Sequence, residues 1–169
     1  MIPRLETEAD MRETARWMRY PPTGIRGVAT GTRGAGYATV GHPQVHELND
    51  RILGVFQVES RAAVAAIDDL AAIDGVDVLF VGPRDLSHDL GVPGDVTAPA
   101  YLEALETVRA AAARHGKACG LLAGDGAVAR RLRGQGWRFV GIGSDSTLLA
   151  AALGTALAAA RTDDIQGDR

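Results

Sequence analysis

Short, continuously apolar runs alternate with amphipathic stretches along this chain. Leu53 to Val58 (LGVFQV), Val76 to Val81 (VDVLFV), Ala118 to Leu122 (ACGLL) and Phe139 to Ile142 (FVGI) each read as a strand, and Met1-Ile2-Pro3 reads as the stub of another. Strands this short and this apolar are buried on both faces. Between them lie helical patterns. Thr7-Glu8-Ala9-Asp10 is a capping-box pattern, after which Met11, Ala15 and Met18 fall on one helical face. Ser60 can cap a helix running to about Ile73. Thr97 and Pro99 open a long helix with Leu102, Leu105 and Val108 inward, closed by Gly116. A short helix follows over Ala127 to Leu132, and the last helix carries the apolar stripe Leu148, Leu149, Ala152, Leu153, Ala156 and Leu157. The stretch YPPTGIRGVATGTRGAGYATVG, from Tyr20 to Gly41, is predicted to be mostly loop. Residues 1–161 form a single domain on this reading, and 162–169 a polar, frayed tail.

The alternation predicts an α/β fold of parallel β/α units with helices covering the sheet. A closed (β/α)8 barrel needs eight strands. About five are visible here, counting the stub, so the pattern by itself leaves two options: a small open sheet or an incomplete barrel.

Composition narrows the function classes. The chain has 169 residues, 46% hydrophobic and 23% charged, which places it among soluble globular domains. Its net charge is -3 and no basic patch stands out, which argues against a nucleic-acid partner. Arg130, Arg131 and Arg133 read as the solvated face of a short helix. The single cysteine, Cys119, can form neither an internal disulfide nor a cysteine metal site, and sits in an apolar stretch as a small core residue. That usage fits a cytoplasmic setting. No apolar run is long enough to span a bilayer, so no membrane role is expected. Four histidines form no zinc pattern. His42 and His46 are four apart, but Pro43 between them makes a regular helix doubtful, and His88 reads as a surface residue. Neither GxxxxGK[ST] nor a GxGxxG after a strand occurs, so no nucleotide site is read.

The chemistry is expected at strand C-terminal ends, where parallel α/β folds gather reactive groups. Gln57 and Glu59 are two apart and point the same way in an extended strand, while Asp85 follows the next strand, about 5 Å away laterally. Glu59 and Asp85 can therefore converge. Two carboxylates with open positions suit a hard divalent cation such as Mg²⁺ or Mn²⁺. Without a cation they would repel, and one would take up a proton. The alternative is that Glu59 merely begins a helix and Asp85 caps one. Between the two acids stands Gly82-Pro83. Glycine lets backbone approach a ligand and proline fixes the direction, so the N–H groups of Arg84 and Asp85 can open the turn DLSHDL toward a small carboxylate. An ordinary tight turn is the competing reading. For YPPTGIRG the structural expectation is a Pro-directed loop with Arg26 paired on the surface.

Four stretches carry a family resemblance: RYPPTGIRGV (Arg19 to Val28), FQVES (Phe56 to Ser60), GVDVLFVGPRDLSHDLG (Gly75 to Gly91) and VGIGSDSTLL (Val140 to Leu149). In this order and spacing they resemble the HpcH/HpaI aldolase family, and its 2-oxo-acid aldolases more than its citrate-lyase-like or malyl-CoA-lyase-like cousins. The likeness runs to about Ala160. It implies a (β/α)8 TIM barrel and a class II aldolase that uses Mg²⁺ or Mn²⁺, with Co²⁺ a further option, to cleave 4-hydroxy-2-oxo acids into pyruvate and an aldehyde. Glu59 and Asp85 match the family's metal ligands. Gln57 matches a residue that contacts the oxo acid, and Arg84 and Asp85 match the positions whose amides hold the substrate carboxylate.

On the same resemblance, MIPRLETEAD matches the family's fourth strand. The chain then corresponds to the C-terminal five units of the barrel, a partial barrel. The general-base His, an Arg and an Asp that tunes the His belong to the first three units and match nothing here. A natural short form, a mis-assigned start and a gene fragment all fit. Two rival readings stand beside the aldolase: an inactive family member that only binds metal or oxo acid, and an acyl-CoA lyase, for which no set of basic groups for the phosphates is visible. Open sheet edges, and the family habit of packing the last helix on a neighbour, imply a homo-oligomer or association with a chain that supplies the missing strands.

Overall fold

A computed structural model describes residues 1–162. Helix α1 spans Glu8–Met18; the Thr7 hydroxyl accepts from the Asp10 N–H at 3.1 Å, and Met11 and Ala15 are buried as the periodicity predicts. Strand β1 (Val55–Val58) leads to Ser60, which caps α2 (Arg61–Ala65) by accepting from the Ala63 N–H at 3.1 Å. A single helix to Ile73 was the expectation. The backbone instead breaks at Ala66 (φ -95°, ψ 13°), and a second piece, α3 (Ile67–Ala71), turns Ile67, Leu70 and Ala71 into the core. Then follow β2 (Val78–Val81), α4 (Pro83–Asp89), α5 (Pro99–Arg114), β3 (Ala118–Ala123), α6 (Gly126–Gly134), β4 (Phe139–Ile142) and α7 (Asp145–Thr162). The predicted tail, 162–169, lies outside the residues whose side chains are described.

The strands form one parallel sheet in the order β1-β2-β3-β4. The Met1-Ile2-Pro3 stub extends it: the Ile2 N–H donates to the Val55 carbonyl and the Gln57 N–H to the Ile2 carbonyl, both at 2.9 Å. Five strand positions in sequence order, each crossing back through helix, make a slice of a β/α barrel wall rather than a doubly wound sheet, whose order would reverse.

Alternation divides the side chains between two faces. Phe56, Val58, Leu79, Val81, Cys119 and Leu121 join the main core with residues of α1, α3 and α5. Val55, Val78 and Phe80 form a smaller cluster on the opposite face, with Ala118 and Phe139 against it. There Phe80 and Phe139 meet edge to face, ring centroids 6.0 Å apart at 85°. Gly120 lies between their strands; a Cβ on it would come within 2.6 Å of the Phe80 ring, so the glycine is what lets the ring lie across β3.

Two sequence expectations need correction and a third needs only added detail. The inward face of α5 is Tyr101, Ala104, Val108, Ala111 and Ala112; Leu102 is 50% exposed and Leu105 is only half-buried. One residue is 100° of helical turn, and the large Tyr101 ring takes the inward direction assigned to Leu102. The Gly-rich stretch is mostly loop but contains a 3₁₀ turn, Arg33–Ala35, and leads into a longer 3₁₀ segment, His42–Arg51. Among the described residues Arg26 is in no ion pair; its guanidinium lies over the Tyr20 ring, 4.7 Å from the centroid.

Hydrogen bonds fix where RYPPTGIRG sits. The Tyr20 N–H donates to the Asn49 side-chain oxygen at 2.7 Å, and the Asn49 amide donates back to the Tyr20 carbonyl at 3.0 Å. Arg19 donates to the Asn49 carbonyl at 2.7 Å and lies 3.6 Å from Asp77, which precedes β2. The motif thus packs at the N-terminal ends of the strands. Arg130, Arg131 and Arg133 are exposed on α6, and Cys119 is buried with its thiol 3.6 Å from the Gly136 carbonyl. Along α7, Leu148, Leu149, Leu153 and Leu157 are all exposed. No helix among the described residues is long and apolar enough to cross a membrane.

Candidate functional site

The C-terminal ends of the strands carry the acids. Val58 pairs with Val81, so the next residues, Glu59 and Gly82, stand side by side. A Cβ on Gly82 would lie 2.8 Å from Oε2 and 3.0 Å from Cβ of Glu59. The Gly82 φ is -84°, open to any residue, so space rather than backbone conformation calls for glycine here. The other carboxylate oxygen, Oε1, accepts from the Arg4 N–H at 2.7 Å. That is a charge-assisted bond, stronger than a neutral one. Arg4 reaches it with a left-handed φ of 55°, which costs a residue with a Cβ about 1–2 kcal/mol. The extra strand stub therefore does more than lengthen the sheet: its end aims a donor at Glu59.

Asp85 is placed by α4. Pro83 opens that helix, and its first intrahelical bond runs from the Leu86 N–H to the Gly82 carbonyl at 3.0 Å. Asp85 is thus the third helical residue and not the cap, a position that Gly82 takes. Nor does Glu59 cap α2, since Ser60 does. Buried Ser87 anchors the helix: its hydroxyl donates to the Arg84 carbonyl at 2.8 Å and accepts from the Gly94 N–H at 3.0 Å.

Glu59 and Asp85 line one cleft of about 310 Å³, together with Arg4, Glu6, His88 and Asp89. Glu59 is half-buried, while Asp85 and His88 are exposed. Asp89 is already engaged, its carboxylate accepting from the Arg61 N–H at 2.5 Å. Gln57 is half-buried one pleat deeper on the same face, and Arg84 is exposed at the start of α4; neither lies on the cleft wall. Sequence reasoning did not assign Arg4, Glu6, His88 and Asp89 to this wall. A signal for Arg4 was present, because it follows the stub strand as Glu59 follows β1. For His88 and Asp89 the signal was their spacing of three and four from Asp85, one helical turn. A second cavity, of about 260 Å³, lies at the opposite strand ends beside Arg12, Arg16 and Arg19. There Arg12 is paired with Glu8, and Arg19 with Asp77.

Among the described residues no three or more His, Cys, Asp or Glu side chains gather into a ready cage for a metal ion. The pair Glu59 and Asp85 still fits a hard divalent cation of the kind that keeps water or substrate oxygens in its remaining positions. The donors are oxygens, one of them is held by a backbone N–H, and the neighbouring position is a glycine.

Comparison with known proteins bears on the fold and the family. The model of the HpcH/HpaI aldolase/citrate lyase family matches residues 1–152. A hydroxypyruvate/pyruvate aldolase of Roseovarius nubinhibens is 38% identical over 97% of this chain and 64% of its own length. A 2-keto-3-deoxy-L-rhamnonate aldolase of Klebsiella pneumoniae is 38% identical over 98% of this chain and 62% of its own length. Among solved structures, an HpcH/HpaI aldolase/citrate lyase family protein from Burkholderia cenocepacia superposes with a TM-score of 0.84 at 37% identity, over 95% of this chain and 64% of that one. An HpcH/HpaI aldolase from Desulfitobacterium hafniense gives 0.84 at 33% identity, over 100% of this chain and 65% of that one. The chain thus spans somewhat under two thirds of these four relatives, and the Roseovarius and Klebsiella proteins are named as aldolases. It belongs to the HpcH/HpaI aldolase/citrate lyase family.

Proposed function

We propose that this chain carries the cation-binding and oxo-acid-binding side of a class II aldolase that cleaves 4-hydroxy-2-oxo acids into pyruvate and an aldehyde. The observation that supports this reading is the placement of Glu59 and Asp85, from adjacent strand ends, on one cleft with Gly82 leaving room beside Glu59. Glu59 and Asp85 would hold Mg²⁺ or Mn²⁺, with Co²⁺ a further option. When bound, such a cation supplies Lewis-acid polarisation of the oxo-acid carbonyl. Arg4 holds Oε1 of Glu59 in place through its backbone. The N–H groups of Arg84 and Asp85 precede the first intrahelical donor of α4 and would receive the substrate carboxylate. Gln57, on the same strand face as Glu59, would contact the oxo acid. Proton removal from the substrate hydroxyl needs a base, and no residue of this chain matches the family's general-base His. The single cysteine fits a cytoplasmic setting.

The experiment is titration calorimetry of Mn²⁺ with oxalate present, paired with a pyruvate-release assay on a 4-hydroxy-2-oxo acid. Binding by the native chain that Glu59→Ala and Asp85→Ala abolish is the expected result, since a lone carboxylate holds such ions poorly. Turnover is expected to be slow, because loss of a general base typically costs about 10²–10⁴-fold. Unchanged binding in both variants would remove the site assignment. Binding without any turnover would favour a member of the family that only binds its ligands.

A further inference from the structure

The motif RYPPTGIRG sits at the ends of the strands opposite the acids. Its Arg19 and Thr23 line the cavity of about 260 Å³ found there, together with Arg12 and Arg16 of α1 and the turn Ile73-Asp74-Gly75 that leads to β2. Arg12 and Arg16 are one helical turn apart on α1, and Arg19 is its C-cap, so one short stretch of chain brings three guanidiniums to one wall. Among the described residues Asp74 is the one acid on that wall. The negative C-terminal end of a helix attracts a cation; one arginine would meet that need, and three exceed it. The three also differ in their commitments. The Arg19 side chain is only 17% exposed; one terminal nitrogen donates to the Asn49 carbonyl at 2.7 Å and the other lies 3.6 Å from Asp77. Its Nε is buried and has no hydrogen-bond partner among the described residues, a cost unless something supplies an acceptor. Arg16 is exposed and, among the described residues, in no ion pair. Arg12 is held by Glu8 at 2.6 Å, but both side chains are about half exposed, and a surface pair of this kind is weak.

We propose that this cavity is an anion site that takes a phosphate group, held by Arg16 and Arg19 with Arg12 as a further donor. A phosphate group carries about two negative charges and several strong acceptor oxygens. It can therefore meet more than one guanidinium, whereas a carboxylate is matched by a single fork. Partial burial of Arg19 strengthens the attraction, because its surroundings screen less than water does. Drug-sized ligands occupy about 300–1,000 Å³, so a cavity of about 260 Å³ suits inorganic phosphate or a small phosphate monoester. Bound there, the group ties α1, the RYPPTGIRG loop and the turn before β2 together. The site is separate from Glu59 and Asp85, which stand past the other ends of the strands.

The test is titration calorimetry of the full chain without added metal, using inorganic phosphate and glycerol 3-phosphate, with chloride at matched ionic strength as the control. Saturable binding of both phosphates is expected. Tighter binding of glycerol 3-phosphate would assign the site to a monoester, and equal binding would assign it to the free ion. Arg16→Gln should weaken binding about tenfold, the scale of one hydrogen bond to a charged group. Arg16→Lys should keep part of the affinity, since lysine offers the charge without the fork. Both variants should fold, because Arg16 is exposed and its backbone carbonyl still accepts from the Ile25 N–H, at 2.9 Å in the native chain. Glu59→Ala should bind phosphate as the native chain does. No saturable binding of either phosphate, heat that chloride reproduces, affinity that survives Arg16→Gln, or affinity lost in Glu59→Ala would each overturn the proposal.

Discussion

A Cβ on Gly82 would stand 2.8 Å from Oε2 of Glu59. The glycine is therefore the space that the carboxylate occupies. Its φ of -84° suits alanine equally well, so Gly82→Ala changes the room beside Glu59 without straining the backbone. The variant should fold, keep α4, and bind Mn²⁺ in the presence of oxalate about tenfold more weakly, the usual scale when a ligand's support is disturbed. Calorimetry of the two proteins side by side is the measurement. Equal affinities would mean that Glu59 is not a ligand in the position described.

The orientation of α5 can be read from two substitutions. Val108 is fully buried and Leu102 is half exposed. Val108→Ala should cost about 2 kcal/mol through lost burial and the cavity left behind. Leu102→Ala should stay within about 0.5 kcal/mol, as surface changes usually do. Urea unfolding followed by circular dichroism gives both numbers, and the reverse order would restore the inward Leu102 of the sequence pattern.

Tyr101 gives the chain a defined alkaline weakness. Burial pushes its phenol from 10.0 up to about 12. The folded chain then holds this proton at pH values where the unfolded chain has released it. The resulting stability is complete below pH 10 and is lost as the pH rises toward about 12. Tyr101→Phe should flatten this part of the pH profile. Urea midpoints at about pH 8 and about pH 11 test it, and the same alkaline loss in the variant would assign the loss to other groups.

Self-association is the fourth expectation. The described sheet ends at β4 on one side and at the Ile2 bridge on the other, and exposed strand edges invite pairing. Along α7 the leucines at 148, 149, 153 and 157 are 52–61% exposed, an apolar stripe that a neighbouring molecule could cover. Sedimentation velocity at micromolar concentration should show oligomers, and Leu153→Glu should shift them toward smaller species. A single sharp monomer with cooperative unfolding would instead favour a self-contained open sheet.

Strand positions, helix starts and the convergence of Glu59 and Asp85 on one cleft were legible in the sequence because they follow from local rules. Apolar runs alternate with helical patterns, Thr7 and Ser60 cap the helices that follow them, and reactive acids stand just past strand ends. The family motifs then placed those strands in a barrel wall. The face of α5 was not legible. Leu102 and Tyr101 are both apolar enough to turn inward, and only the space above the sheet chooses between them. The break at Ala66 escaped for the same kind of reason, since an alanine-rich run permits one helix or two, and packing of Ile67 and Leu70 selects two. Arg4 is the clearest case. Nothing local to MIPRLE links it to a glutamate 55 residues later; the link exists because Ile2 pairs beside β1, and a pairing between distant strands is a tertiary fact. The sequence by itself determined which elements form and which acids end them, whereas the sheet order decided which backbone N–H holds Glu59 and which cation shares its cleft.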